Sequence, residues 1–278
     1  MLHSSLRELA LQANRCESTA AARGILSEAQ ELLRNALRHR ESETELTAWF
    51  SRLVSDVVRS PAISSPVRLT GAVSRGDAIP SMPITWLGED EQLLEILESV
   101  GLKGRQAEDE FLAWRVDAGY PVGIGGEQQL LDEALSLRPP ALKVVNGLPD
   151  PDSEVDIESY LLAPIAGIAR WAAPSPRPTL DRLEIAIERQ LLSPSESQSL
   201  AAAWETAVSI AMRRWLSNMD GHSTTLDNLP ALDRTAYGAA CRLVAQTFAA
   251  ISARYSLESS DSQETLDPQN VNQPQSGL

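Results

Sequence analysis

The chain has 278 residues, with 38 acidic against 24 basic side chains and a formal net charge of −14. A surface this acidic repels nucleic acid and anionic membranes, so neither is expected as a partner, although a local basic cleft stays compatible with it. Apolar residues make up 43% of the chain, enough to bury the cores of two modest domains.

The N-terminus, MLHSSLRELALQ, has no long apolar stretch and no small-residue cleavage signal, so it does not read as a secretory leader. The first 60 residues read as helices. Ser27 with Gln30, and Ser42 with Glu45, have capping-box spacing. After the second pair, Leu46, Trp49, Phe50, Leu53, Val54, Val57 and Val58 recur at helical spacing and belong to one core-facing side. Pro61 and Pro66 end that helix.

Residues 66–88 change character. Val67 and Leu69 start a short strand that Gly71 interrupts, SRGDAIPS reads as a connection, and Ile84, Trp86 and Leu87 mark a second strand. Residues 89–137 return to helix. The acidic pair Glu89 and Glu91 after Gly88 fits the first turn of a helix better than a metal site. Leu142, Val144 and Val145 read as a third strand, and the Pro/Asp/Ser-rich LPDPDSEVD as a domain boundary.

From residue 155 on the pattern is helical, with about four helices forming a bundle. Ser153 with Asp156, Thr179, and Ser193 with Pro194 and Glu196 are the expected start signals. One helix carries Leu200, Trp204, Val208, Ala211 and Trp215 along one side, and a last one carries Tyr237, Ala240, Cys241, Val244, Phe248 and Ile251. The polar tail from Glu258 is expected to be disordered. Cys16 and Cys241 lie far apart, with no CxxC pattern and no nearby histidine, so neither a disulfide framework nor a zinc site is expected. No apolar run reaches the roughly 20 residues needed to span a bilayer, and a cytoplasmic location follows as the expectation.

The division is thus 1–60, an N-terminal helical segment; 61–150, a domain with a small sheet; 151–257, a helical domain; and 258–278, the tail. The fold class is α+β: a small mixed sheet flanked by helices, followed by an all-helical bundle.

Gly71-Ala72-Val73-Ser74-Arg75-Gly76-Asp77-Ala78-Ile79-Pro80 resembles the signature of a bacterial family of nucleotidyltransferase-like proteins related to the PII-protein uridylyltransferases. The family pattern is roughly G-S-x-G-R-x-E-x-x-P followed by G-S-D-x-D. Gly71, Arg75 and Pro80 match it, Asp77 stands for the usual Glu, and Ala72 and Ser74 replace the Ser and the second Gly. Pro164-Ile165, Ala169-Arg170, Thr179-Leu180-Asp181-Arg182-Leu183 and the Leu-Leu-Ser at 191–193 resemble the family's C-terminal helical domain. The resemblance implies a nucleotidyltransferase-like sheet in the first domain and a substrate-binding-like bundle in the second.

Nucleotidyl transfer in this family needs three carboxylates, two of them at i and i+2 on one strand, to hold divalent ions beside a triphosphate. A gapless alignment puts Met82, Pro83 and Thr85 on the family's S-D-x-D, and the third aspartate falls near Ala141. None of these supplies a carboxylate. The resemblance with these departures implies a catalytically impaired member in a regulatory role, with no catalytic residue, no metal ligand and no cofactor; Mg²⁺ is expected only of an active enzyme. The implied partners are a nucleoside triphosphate and a regulatory protein. Candidate nucleotide-binding residues are Gly71, Ala72, Ser74, Arg75 and Asp77. Arg75 suits phosphate oxygens, or it pairs with Asp77 across the loop. Arg170, Arg182, Arg213 and Arg214 either line an inter-domain cleft or sit on solvated helix faces. Trp86, Trp114, Trp171, Trp204 and Trp215 read as core. An active transferase with displaced carboxylates and a non-enzymatic helical interaction module are the competing readings.

Overall fold

The computed structural model describes residues 2–145, 148–219 and 224–264. Three helices open the chain: α1 (Ser4–Ala13), α2 (Thr19–Arg38) and α3 (Glu43–Val58). The α3 stripe is buried at all seven expected positions, and the Trp49 indole N–H donates to the Leu6 carbonyl at 2.9 Å, tying α3 to α1. Ser42 caps α3 as its spacing predicts. Ser27 does not cap anything: it lies inside α2, whose cap is Ser18. The run from Thr19 keeps helical periodicity straight through Ser27, so no break is available for a start there.

A three-stranded sheet follows, built from β1 (Arg68–Thr70), β2 (Ile84–Leu87) and β3 (Gly104–Gln106). β1 runs antiparallel to β2, and β3 runs parallel to it, so the sheet is mixed. Between them lie α4 (Gly71–Arg75) and α5 (Glu91–Ser99). Asp90 caps α5, and Glu91 stands in its first turn beside the exposed Glu89. Strand β3 falls in a stretch whose composition reads as helix. Its sequence, Gly-Arg-Gln, carries no apolar alternation, and only its pairing with β2 makes it a strand.

Two short helices, α6 (Leu112–Asp117) and α7 (Gly126–Ser136), lead to a two-stranded hairpin of β4 (Val144–Val145) and β5 (Leu148–Pro149). The third expected strand is therefore present at Val144–Val145, but it pairs with β5 and stands outside the mixed sheet. Pro139 and Pro140 lack the backbone N–H groups that a longer ladder there would need.

A π-helical turn at Glu158–Leu162 runs into α8 (Ala163–Ala172), followed by α9 (Thr179–Glu188), α10 (Pro194–Leu216) and α11 (Ala231–Glu264). The capping box at Ser193 and Glu196 forms as its spacing predicts. The two other start signals work differently. The Ser153 hydroxyl is buried with no hydrogen-bond partner among the described residues, and Asp156 instead accepts from the Ser159 N–H at 2.9 Å. Thr179 is the first residue of α9 rather than its cap.

The apolar positions expected on α10 and α11 are buried, apart from the half-buried Ala211. Gly167 on α8 lets α7 approach so closely that an added Cβ would lie 3.4 Å from the Ala134 Cα. The backbone of α11 continues as helix to Glu264, past Glu258 where the polar composition suggests disorder; extending a formed helix avoids the cost of nucleating one. The rest of that tail, 265–278, lies outside the described residues. Together these elements make an α+β architecture: a small mixed sheet with helices around it and a helical region behind. One apolar cluster runs from Leu6 on α1 to Ile251 on α11. Among the described residues, no helix is long and apolar enough to cross a membrane.

Candidate functional site: a cavity walled by buried arginines

The loop after β1 is positioned by backbone geometry. Gly71 has φ +64°, and a Cβ there would sit 3.1 Å from Cζ3 of Trp114, so glycine alone fits. The chain then makes the single turn of α4, and Gly76 ends it in the left-handed region at φ 89°. The Thr70 hydroxyl donates to the Trp114 carbonyl, and the Ser74 hydroxyl donates to the Asp117 carbonyl at 2.7 Å. The turn is thereby fastened to α6.

Arg75 leaves this turn into the interior, where it is 7% exposed. Its Nε donates to Asp77 at 3.0 Å and its Nη1 to Oδ2 of Asp117 at 2.6 Å. Asp117 is fully buried and gathers two further guanidinium groups: Arg170 Nη2 at 2.8 Å on the same Oδ2, and Arg182 Nη2 at 2.8 Å on Oδ1. Asp77 caps a distant helix. It accepts the Thr179 N–H at 3.3 Å and the Thr179 hydroxyl at 2.7 Å, so the otherwise orphaned first N–H of α9 is satisfied by a residue 102 positions earlier.

Three arginines thus share two aspartates, leaving a surplus positive charge in the interior. Burial alone would raise the Asp117 carboxyl, but Arg170, Arg75 and Arg182 outweigh it and hold it well below the usual carboxylate range. Burial pushes the Asp77 carboxyl up, against the pull of Arg75 and Thr179. Arg182 is pulled down to about 10 by burial and by the neighbouring Arg75 and Arg170, against the opposing effect of Asp117. Arg170 Nε and Arg182 Nη1 are buried and have no hydrogen-bond partner among the described residues.

Beside this cluster opens a cavity of about 470 Å³. Gly71, Ala72 and Arg75 from the loop, Pro83 and Thr85 from β2 and its approach, and Arg170 from α8 all line it. Much of the remaining wall is apolar, including Phe111, Trp114, Leu162 and Trp204. Of the predicted loop residues, Gly71, Ala72 and Arg75 therefore meet at the cavity. Ser74 and Asp77 are engaged elsewhere, on Asp117 and Thr179. Trp114, expected in the core, is half-buried and forms cavity wall.

Ala141, where the resemblance places a third carboxylate, is exposed and lies outside the mixed sheet. β2 lies between β1 and β3, and Thr85 is in register with Thr70 on β1 and with Arg105 on β3. Arg105 also lines the cavity, with its guanidinium 5.3 Å from the centre of the Trp114 ring.

A pair of divalent ions does not fit this donor set. Two such ions require several carboxylate oxygens, and these positions offer a proline, a neutral hydroxyl and a cation. Glu133 reaches the cavity but accepts the Leu112 and Ala113 N–H groups at 3.2 and 3.0 Å, capping α6. Glu158 also lines the cavity and is exposed. Among the described residues no group of three or more His, Cys, Asp or Glu side chains could hold a metal.

The residues missed from sequence are Asp117 and Arg105. A weak signal exists for Asp117: an acid in the last turn of a helix opposes the helix dipole and therefore needs a cation. Arg170 and Arg182, open between a cleft and a solvated face, are buried on Asp117, whereas Arg213 pairs with Asp233 at 2.7 Å near the surface.

Residues 128–255, slightly less than half of the chain, match the family model described as "Putative nucleotidyltransferase substrate binding domain". The match supports a relation to nucleotidyltransferases, and it begins inside α7, ahead of the Pro/Asp-rich segment read as a boundary. No curated protein and no solved structure matches the chain.

Proposed function

We propose that this is a nucleotidyltransferase-like protein that binds a nucleoside triphosphate in the cavity beside Arg75 without transferring it, and that it acts through a protein partner in a regulatory, cytoplasmic role. The observation that carries the reading is the composition of the cavity wall. Pro83, Thr85 and Arg105 line it without bringing a carboxylate, and Arg75, Arg105 and Arg170 bring three guanidinium groups against Glu133, which caps α6, and the exposed Glu158. Guanidinium groups suit phosphate oxygens, and the apolar surface of Trp114 and Phe111 suits a base. The volume of about 470 Å³ is in the range of small-molecule sites. The description of the matched helical family supports a bound partner on that half of the chain.

Calorimetric titration with ATP and UTP tests the reading, alongside incubation with labelled nucleotide, Mg²⁺ and a bacterial lysate. Saturable binding with no label transferred is the expected result. The exposed Ser159 lines the cavity, so Ser159→Trp should block it and weaken binding by about tenfold or more without lowering thermal stability. Absence of binding to the unaltered protein overturns the proposal, as does Mg²⁺-dependent labelling that disappears in Arg75→Met.

A further inference from the structure

Resting on that reading, we propose that Arg105 takes the place of the metal, so that the cavity recognises a polyphosphate group by arginines alone, independently of any divalent cation. The position is set by the sheet. Arg105 is the parallel-register partner of Thr85, and both line the same cavity as Gly71. Where β2 and β3 meet at the cavity, a hydroxyl stands beside a guanidinium and neither strand brings a carboxylate. A fixed positive charge therefore stands where bound ions would otherwise neutralise the phosphates.

The Trp114 ring, 5.3 Å away, stacks with the exposed guanidinium and limits its freedom, which reduces the entropy lost when it meets a ligand. Two further arginines line the cavity. Arg75 and Arg170 converge on one oxygen of Asp117, and the buried Arg170 Nε has no partner among the described residues. A phosphate oxygen entering from the cavity could accept that N–H and offset the surplus charge of the cluster. Magnesium has no comparable foothold, and by cancelling part of the ligand's charge it weakens the attraction to all three arginines.

The experiment is calorimetric titration of the full chain with ATP, UTP and inorganic tripolyphosphate, each in EDTA and in excess Mg²⁺. The expected result is that all three bind in EDTA, at least as tightly as with Mg²⁺, and more weakly as salt rises. Arg105 is on the surface, so Arg105→Glu should fold normally and weaken binding in EDTA by about tenfold or more, with Arg105→Lys retaining part of the affinity. Binding that requires Mg²⁺ would overturn this inference and leave nucleotide binding itself intact. Unchanged affinity of Arg105→Glu would overturn it too. Failure of tripolyphosphate to bind while ATP and UTP bind would also count against recognition through the phosphates. If no compound binds in either condition, the proposed function falls and this inference with it.

Discussion

At Asp117 the cost of burying a charge is offset by three guanidinium groups, and the carboxylate holds together parts of the chain from α4, α6, α8 and α9. Such a cluster adds little net stability compared with apolar packing, but losing its centre is costly, because the remaining charges stay buried without a partner. Asp117→Asn should therefore destabilise the protein by about 3–5 kcal/mol in chemical denaturation. A loss within experimental error would mean that the cluster is not the junction described.

The pH dependence follows from the same residue. The folded carboxyl is held below its ordinary value of 3.8, so its stabilising effect is complete above that value and fades as the pH falls below it. Unfolding midpoints measured between neutral pH and about pH 3 should drop at the acid end, and less steeply in any folded Asp117→Asn protein. None of this was legible beforehand. The Arg75–Asp77 pairing could be anticipated from adjacency in sequence, but Asp117 is 42 residues from Arg75 and 65 from Arg182, and no local pattern links them.

Among the elements, those with strong local codes were legible: the α3 stripe, the Ser193 capping box and the Ile84–Leu87 strand. Ser193→Ala removes the hydroxyl half of that reciprocal cap, leaving the backbone N–H bond to Glu196, and should cost about 1 kcal/mol by thermal or chemical unfolding. What escaped were elements defined by partners far along the chain. Strand β3 exists because β2 pairs with it, and the N-terminus of α9 is capped by Asp77 rather than by a neighbour. The turn into α4 stands between the two cases. Gly71 is visible as a strand breaker, yet the need for glycine comes from φ +64° and from Trp114 pressing on it. Gly71→Ala should destabilise by about 1–3 kcal/mol and, by displacing Trp114, weaken any ligand in the cavity. A ligand affinity unchanged in Gly71→Ala would separate the turn from the site.

For the molecule as a whole, the α+β organisation and the helical second half were readable from periodicity and breakers. The way the two halves meet was not. Arg170 and Arg182 come from the helical half, Arg75, Arg105 and Thr85 from the half with the sheet, and Arg75, Arg105, Thr85 and Arg170 line one cavity. A sequence motif names the loop at 71–80, but the three arginines of the cavity are brought together by folding. The same assembly makes the proposed anion site compatible with a net charge of −14: three arginines line the cavity, and of the two glutamates there Glu133 is engaged in capping α6 and Glu158 is exposed.

The most direct measurement is a crystal structure of the full chain soaked with ATP in the absence of divalent metal. Density for the phosphate groups is expected in the cavity lined by Arg75, Arg105 and Arg170. An empty cavity with nucleotide bound elsewhere would contradict it, as would a divalent ion held by acidic side chains at that position after a further soak in Mn²⁺.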